Sequence, residues 1–358
     1  MSAINAGEKS AVELNDAAVR FQAEGKYAEA DDYYKESIAI WESTLGPEHP
    51  LVAQSLSNRA SLYRLMGAFD EAERIFQIAL RIWSKRGFPQ QQNSSPLWAD
   101  TLEKDFTLKT FGADVRGVRD RVFKGDAGAR AELMKAIERL GPWYHNVEVA
   151  PGIMTNPSNA DYPASRWRVL DKVIPRNLAG KSVLDIGVSS GFFSLEMKRR
   201  GAGRVVGVDI MLYLLAQSRF LSHWFEQPLE LYECGAYDVE SLGSKFDVVV
   251  FIGVLYHLKH PLYALEKIAS VCKDTMYFQS MVRGPGGDIE PADDYPGTEV
   301  EVFNQPAWPK LYFIEKKFNG DESNWWFATR SALKAMLRTA GFRNIEDTES
   351  PEIFVCRK

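Results

Sequence analysis

The hydrophobic pattern of the chain has two regimes. Residues 14–41, LNDAAVRFQAEGKYAEADDYYKESIAIW, and residues 56–83, LSNRASLYRLMGAFDEAERIFQIALRIW, are helical in pattern and match one another at an offset of 42. From Lys181 onward, short apolar runs (SVLDIG, RVVGVD, FDVVVFIG, KDTMYFQS) alternate with helical stretches such as FFSLEMKRRG. That alternation predicts a parallel sheet flanked by helices, an α/β fold. Between the two regimes, residues 84–97 are polar and broken by Pro and Gly, and predict a linker. Residues 98–140 are helical in pattern, with AELMKAIERLG (Ala131–Gly141) an amphipathic helix ending at glycine. Arg330–Phe342 predicts another helix stopped by Gly341, and FRNIEDTE and EIFVCRK predict the last two strands.

In the self-similar region Ala18 pairs with Ala60, Gly25 with Gly67, Tyr27 with Phe69, Ala30 with Ala72, Tyr34 with Phe76 and Trp41 with Trp83. Small residues let paired helices approach closely, and glycine permits the turn between them. This order resembles a tetratricopeptide repeat, and the connector LGPEHP resembles the kinesin-light-chain variety. A repeat buries its apolar face only by stacking on a neighbour, and about three are usually needed. Two are visible, so the open face calls for cover from following helices, the second domain, another copy of the chain or a protein partner. Self-association, for instance as a homodimer, and partner binding are both expected roles for this region.

The segment KSVLDIGVSSGFFSLEMKRRGAGRVVGVDIM carries the chemistry. SVLDIG is a strand, GVSSG (Gly187–Gly191) a tight turn at a helix N-terminus, and RVVGVD a second strand ending in Asp209. Glycines let backbone approach a ligand, and an acid 22 residues after Gly187 can accept both hydroxyls of a ribose. GVSSG also fits a G-x-S-x-G nucleophile elbow, which would make Ser189 a hydrolase nucleophile but leave Asp209 unexplained. Asp185, two residues before the first glycine, resembles the acid of the first motif of class I methyltransferases, which orients the methionine end of S-adenosylmethionine. By that resemblance Gly187, Ser189 and Gly191 form the cofactor loop. Tyr237 and Asp238 fall where such enzymes contact adenine, and Gly253, Tyr256 and His257 fall beside the methyl group.

LDIGVSSGFFSLEMKRRGA, FIGVLYHLKHPLYAL and the upstream YHNVEVAPGIMT with DYPASRWRVL are similar to the family of the tRNA wobble-uridine carboxymethyltransferase and its methyltransferase relatives, over about residues 142–358. The resemblance implies a Rossmann-like class I domain with a mostly parallel seven-stranded sheet. It also implies a cofactor site of Tyr162, Arg166, Gly187, Asp209, Ile210, Tyr237, Asp238, Ile252 and Tyr256. In that family a lysine and an arginine hold the extra carboxylate of a carboxylated cofactor. They align here near His145 and Ser323, and the missing arginine removes a fork-shaped partner for that charge. Plain S-adenosylmethionine and methyl transfer are therefore expected.

The expected organisation is residues 1–90 as helical repeats, 91–141 as linker and connecting helices, and 142–358 as the catalytic domain. Residues 281–329 form an aromatic insertion over the strand ends, with Trp308, Tyr312, Trp325 and Trp326 as candidate substrate-pocket liners or anchors of the insertion. Arg283 and Glu315 are charged positions there that nothing singles out. Candidate catalytic residues are His257, whose ring titrates near neutrality, His145, and Tyr256.

Composition changes this picture little. The net charge of −5 argues against a broad nucleic-acid surface, although KRR at Lys198–Arg200 is locally basic. Three scattered cysteines lack metal-ligand spacing and suit a reducing compartment. No metal is expected. MSAINAGEKS lacks a signal region and no run suits a membrane span, so a cytoplasmic location is expected. The expected activity is methylation of an O, N or S atom of a small metabolite or natural-product intermediate. The alternatives are uridine modification of RNA, including tRNA, and a scaffold that binds proteins through the repeats.

Overall fold

A computed structural model describes residues 6–66, positions 68, 71, 74, 75, 78, 79 and 82, residues 115–140, and residues 143–358 apart from 290, 291, 299, 320 and 322. The linker expected at 84–97, the pattern over 98–114, Gly141, and the repeat positions Gly67, Phe69, Ala72, Phe76 and Trp83 lie outside the described residues. The chain divides into two compact units, Met1–Leu97 and Trp98–Lys358.

The first unit contains helices α1 (Ala6–Ala23), α2 (Tyr27–Leu45) and α3 (Pro50–Leu65). Ala18 and Ala30 are fully buried together with Tyr34 and Leu62, as small residues between closely paired helices should be. Trp41 packs with Ile38, Val52, Ala53 and Ala60. Asp31, buried on α2, accepts from Arg59 Nε at 2.6 Å and from the Tyr63 hydroxyl at 3.1 Å, both on α3. Burial raises the Asp31 pKa, but its bonds to Arg59 and Lys35 outweigh that and hold it below the usual carboxylate range. Removing Arg59 takes the donor from Oδ1 of a mostly buried carboxylate and leaves Lys35 and the Tyr63 hydroxyl on Oδ2. We expect Arg59→Ala to lower the stability of this unit by about 1–3 kcal/mol, read from its unfolding transition in denaturant.

The second unit is built on a seven-stranded sheet. Its strands are β3 (Ser182–Ile186), β4 (Arg204–Asp209), β5 (Glu230–Glu233), β6 (Phe246–Ile252), β7 (Cys272–Gln279), β10 (Asn344–Asp347) and β11 (Ile353–Arg357). They run in the order β10-β11-β7-β6-β3-β4-β5. β5, β4, β3, β6 and β7 are mutually parallel, and β11 is antiparallel to both its neighbours. The near-continuous apolar runs of β3, β4 and β6 fit strands buried on both faces. Helices α6 (Ala164–Val173), α7 (Phe192–Arg199), α8 (Leu212–Trp224), α9 (Pro261–Val271) and α10 (Arg330–Thr339) accompany the sheet.

Chain order reverses at β3. The path runs outward from β3 through β4 to β5, then returns to β6 on the other side. The carboxyl ends of β3 and β6 therefore flank the switch point where such sheets bind ligands. Upstream, α4 (Val115–Phe123) and α5 (Ala127–Leu140) form an apolar cluster with Trp143, Val149 and the Phe220–Trp224 face of α8. Trp224 Nε1 donates to the Val149 carbonyl at 2.6 Å, and Gln217 Nε2 to the Leu140 carbonyl at 2.6 Å. These bonds bring the strands β1 (Glu148–Ala150) and β2 (Ile153–Met154), and the residues around them, onto the sheet.

The insertion contains an antiparallel pair, β8 (Leu311–Phe313) with β9 (Trp326–Ala328). Trp325 N donates to the Tyr256 carbonyl at 2.8 Å, which seats this hairpin on the loop that follows β6. The three cysteines are free thiols. Among the described residues, no helix is long and apolar enough to cross a membrane, and no His, Cys, Asp and Glu cluster could hold a metal ion.

Candidate active site

The turn after β3 is set by its backbone. Gly187 has φ +73°, and a β-carbon there would lie 2.4 Å from Val254 Cγ2. Gly187 N and Val188 N both donate to the Val208 carbonyl, at 2.8 and 2.9 Å, which folds the turn against the end of β4. Ser189 sits at φ +51° and its amide donates to Asp209 Oδ2 at 3.0 Å. Met211 N donates to Asp209 Oδ1 at 3.0 Å. One carboxylate thus joins the glycine turn to the end of β4. Asp185, the fourth residue of β3, is 2% exposed and accepts from Ser194 Oγ at 2.7 Å. Burial pushes its pKa up to about 7, against the opposing pull of Ser194 and with a smaller push from Asp209.

Next along β4 and β5, Ile210 and Asp238 both approach Gly235: a β-carbon there would lie 3.5 Å from Ile210 Cγ2 and 3.5 Å from Asp238 Oδ2. Asp238 is held above the ordinary carboxylate range by burial. Tyr237 turns toward α9. Its hydroxyl accepts from His260 N at 3.0 Å, and its ring packs with Tyr263.

A second convergence lies at the end of β6. Ile252 is buried, and Gly253 after it has φ +76°. A β-carbon on Gly253 would lie 3.5 Å from the Tyr256 hydroxyl, 3.7 Å from Gln279 Oε1 and 3.8 Å from the Tyr162 hydroxyl. The Tyr144 and Tyr162 ring centroids lie 4.8 Å apart, with the rings tilted by 52°. The hydroxyls of Tyr144, Tyr162 and Tyr256 make no hydrogen bond to another described residue. Burial holds all three phenols above their ordinary range, so they are protonated at neutral pH. The Tyr162 and Tyr256 hydroxyls, converging on Gly253 without a hydrogen bond to another described residue, mark a place for a ligand.

Around this point Arg166 pairs with Glu352 at 3.1 Å, Gln279 Nε2 donates to Glu352 at 3.2 Å, and Arg283 reaches the same carboxylate at 3.4 Å. Gln279, Glu352 and Tyr144 were not singled out from sequence. Gln279 had one signal, a polar residue closing the apolar run of β7. Glu352 had none, because only the pairing of β11 with β7 brings it there.

His145 is buried between Tyr144, Tyr162, Phe192 and Phe193. Its Nδ1 has no partner, and burial drives its pKa down to about 3, so the ring is neutral and a weak base. His257 lies in the 3-10 turn Leu255–His257, its ring centroid 4.3 Å from that of Tyr256. Its Nδ1 is 2.9 Å from Ser323 Oγ.

The four aromatic candidates separate. Trp325 lies under Lys259 Nζ at 4.5 Å, and Trp326 Nε1 donates to the Lys259 carbonyl at 3.3 Å, so both stand beside the loop after β6. Tyr312 packs on Gly284, where a β-carbon would meet its ring. Trp308 forms edge contacts with Tyr295 and Phe303 inside the insertion.

A family model described as a methyltransferase domain matches residues 159–347, and one described as a tetratricopeptide repeat matches residues 11–85. The first covers more than half of the chain and includes the glycine turn, Asp209 and the Gly253 convergence. The chain belongs to the methyltransferase-domain family. Within that class it groups with the tRNA U34 carboxymethyltransferases. It is 32% identical to that of Psychromonas ingrahamii over 259 residues, 69% of this chain and 70% of the relative. It is 26% identical to that of Methylococcus capsulatus over 220 residues, and spans about three fifths of that relative's length, 61%. Among solved structures, the N-terminal domain of EvdMO1 with SAH bound is 21% identical, with a TM-score of 0.45, covering 64% of this chain and 94% of that one.

Proposed function

We propose that the chain transfers a methyl group from S-adenosylmethionine to an O, N or S atom of a small metabolite or natural-product intermediate. The observation that carries this reading is the set of unpartnered polar atoms around Gly253, beside the glycine turn and at the switch point of the sheet. S-adenosylmethionine supplies a methyl group on a sulfonium. The protein's part is to hold donor and acceptor in line and to exclude water. Asp209 would take the ribose hydroxyls, Asp238 and Ile210 the adenine edge, and the turn Gly187–Gly191 with Asp185 the methionine end. Tyr162, Tyr256 and Ile252 would face the transferred group. Trp325 and Trp326 would form the acceptor wall nearest to it.

Plain S-adenosylmethionine suits the site better than a carboxylated donor. Arg166 is already paired with Glu352, so an added carboxylate would meet a neutralised arginine and a second negative charge. The second reading is uridine modification in tRNA, favoured by the names of the relatives. Against it stand the net charge of −5 and the acids Glu352 and Asp321 beside the site. The discriminating experiment incubates the protein with methyl-labelled S-adenosylmethionine and, separately, a small-molecule extract and total tRNA. Label in the low-mass fraction supports the proposal. Label in tRNA overturns it.

Asp185 gives this reading a pH dependence. Its folded pKa, about 7, lies above the unfolded 3.8, so it is protonated in the free protein at mildly acidic pH. Unfolded-state ionisation therefore erodes stability between those two values, and the erosion is complete above 7. Bringing the cationic amino group of the donor near Asp185 favours its ionised form. Affinity for S-adenosylmethionine should therefore rise with pH and level off above about 7, with proton release on binding below it. Calorimetry in buffers of different ionisation enthalpy reads that proton. In Asp185→Asn the release should vanish, and its persistence would remove Asp185 from the methionine end.

The repeat region is proposed to serve protein contact, either self-association or a partner. Sedimentation as a monomer at micromolar concentration would exclude the homodimer.

A further inference from the structure

Gly253 leaves a small open space, and oxygen lines it. A β-carbon built on Gly253 makes only ordinary van der Waals contacts, and its three nearest neighbours are all oxygens: the Tyr256 hydroxyl at 3.5 Å, Gln279 Oε1 at 3.7 Å and the Tyr162 hydroxyl at 3.8 Å. Gln279 is the last residue of β7, lies in register with Ile252 and is 2% exposed. Its backbone carbonyl accepts from Gly253 N at 3.1 Å, which ties the ends of β6 and β7 together at this point.

The side-chain amide of Gln279 can face only one way. Its Nε2 donates to Glu352 Oε2 at 3.2 Å, and the same carboxylate receives Arg166 at 3.1 Å, Arg283 at 3.4 Å and Val282 N at 3.4 Å. An ionised carboxylate only accepts, so turning the amide over would set Oε1 against Glu352 and lose that bond. Oε1 is therefore the atom presented at Gly253, and it accepts no hydrogen bond from another described residue. An amide oxygen on a buried side chain calls for a donor, and a bound group can bring it.

We propose that Gln279, positioned by Glu352, completes with Tyr162 and Tyr256 a three-oxygen cradle that reads positive charge at the transferred group, so that the site selects a sulfonium or an ammonium over a neutral thioether. This rests on the methyl-donor reading above and adds to it a specificity-determining residue. An amide oxygen only accepts, and a phenol hydroxyl can turn its proton away, so all three oxygens can offer a lone pair to one group. Hydrogens on a carbon bonded to a sulfonium are polarised and make C–H···O contacts. An ammonium makes stronger, charge-assisted bonds to the same oxygens. The surrounding charge acts in the same sense. Burial is the main cause that keeps both phenols protonated, and smaller pushes come from Glu352 and Asp321 on Tyr256 and from Asp185 on Tyr162. Arg166, which opposes them, is paired with Glu352. Methyl transfer leaves a neutral thioether, so the cradle holds the charged form and lets the product leave.

Calorimetric titration of the full chain with S-adenosylmethionine, S-adenosylhomocysteine and sinefungin, which has an ammonium-bearing carbon in place of the sulfonium, tests this. In the wild type, sinefungin should bind about tenfold or more tighter than S-adenosylhomocysteine, and S-adenosylmethionine about threefold or more, because the ammonium makes the stronger bonds. Gln279→Leu, which keeps the bulk and removes the amide, should cut both advantages by about threefold or more. Tyr256→Phe, which removes one oxygen and keeps the ring, should shift them in the same direction, and it decides the matter should Gln279→Leu not fold. A purely structural glutamine would instead weaken all three ligands in parallel. That result would overturn the proposal, as would a wild type that binds S-adenosylhomocysteine as tightly as sinefungin. S-adenosylhomocysteine bound without such selectivity leaves the methyl-donor reading standing and sinks the cradle. Binding of none of the three removes both.

Discussion

Asp209→Ala should weaken binding of S-adenosylmethionine and S-adenosylhomocysteine together, by on the order of a hundredfold or more, while the fold is retained. Two ribose hydroxyls on one carboxylate make two charge-assisted hydrogen bonds, each worth about 1.5–3 kcal/mol, and every 1.4 kcal/mol is about tenfold in affinity. The substitution also leaves Ser189 N without its 3.0 Å partner, so the glycine turn loses the bond that fixes it to the end of β4. Equal loss for both ligands is the diagnostic part, because the ribose is common to them and the methyl group is not. Calorimetric titration of the purified variant checks it. Affinity within a few-fold of wild type would place the ribose elsewhere.

The second large effect is expected at Gly187. Alanine there must adopt φ +73° and place a β-carbon 2.4 Å from Val254 Cγ2. The left-handed conformation costs about 1–2 kcal/mol for a residue with a β-carbon, and overpacking at the contact about 1–3. Gly187→Ala should lower unfolding stability by about 2–5 kcal/mol and abolish donor binding as the turn shifts. Adding Val254→Ala should recover the contact part and leave the backbone part. This double-mutant cycle is read in denaturant midpoints. A Gly187→Ala protein as stable as wild type would show that the turn admits a side chain after all.

Much of the second unit was legible because its signals are local. SVLDIG, RVVGVD and FDVVVFIG are strands whose apolar runs state their own burial, and the interval from Gly187 to Asp209 is one strand–turn–helix–strand unit. In the repeats, Ala18, Ala30 and Tyr34 are buried where the matched positions implied. What was not legible depends on distant pairing. Glu352 reaches Arg166 only because β11 inserts antiparallel beside β7. Tyr144 reaches Tyr162 because α5 and its following loop dock on α8. Composition could mark residues 281–329 as aromatic. It could not tell Trp325, beside the loop after β6, from Trp308, which packs on Tyr295 and Phe303. Nor could the first histidine of GVLYHLKHP disclose that Ser323, 66 residues further on, faces its Nδ1.

The central claim is that this site holds S-adenosylmethionine itself as methyl donor, and the most direct measurement is calorimetric titration of the wild-type protein with S-adenosylmethionine, S-adenosylhomocysteine and the carboxylated donor. The account predicts saturable one-to-one binding of the first two and weaker binding of the third, because Arg166 is already committed to Glu352. Tighter binding of the carboxylated donor, or no binding of any of the three, would contradict it.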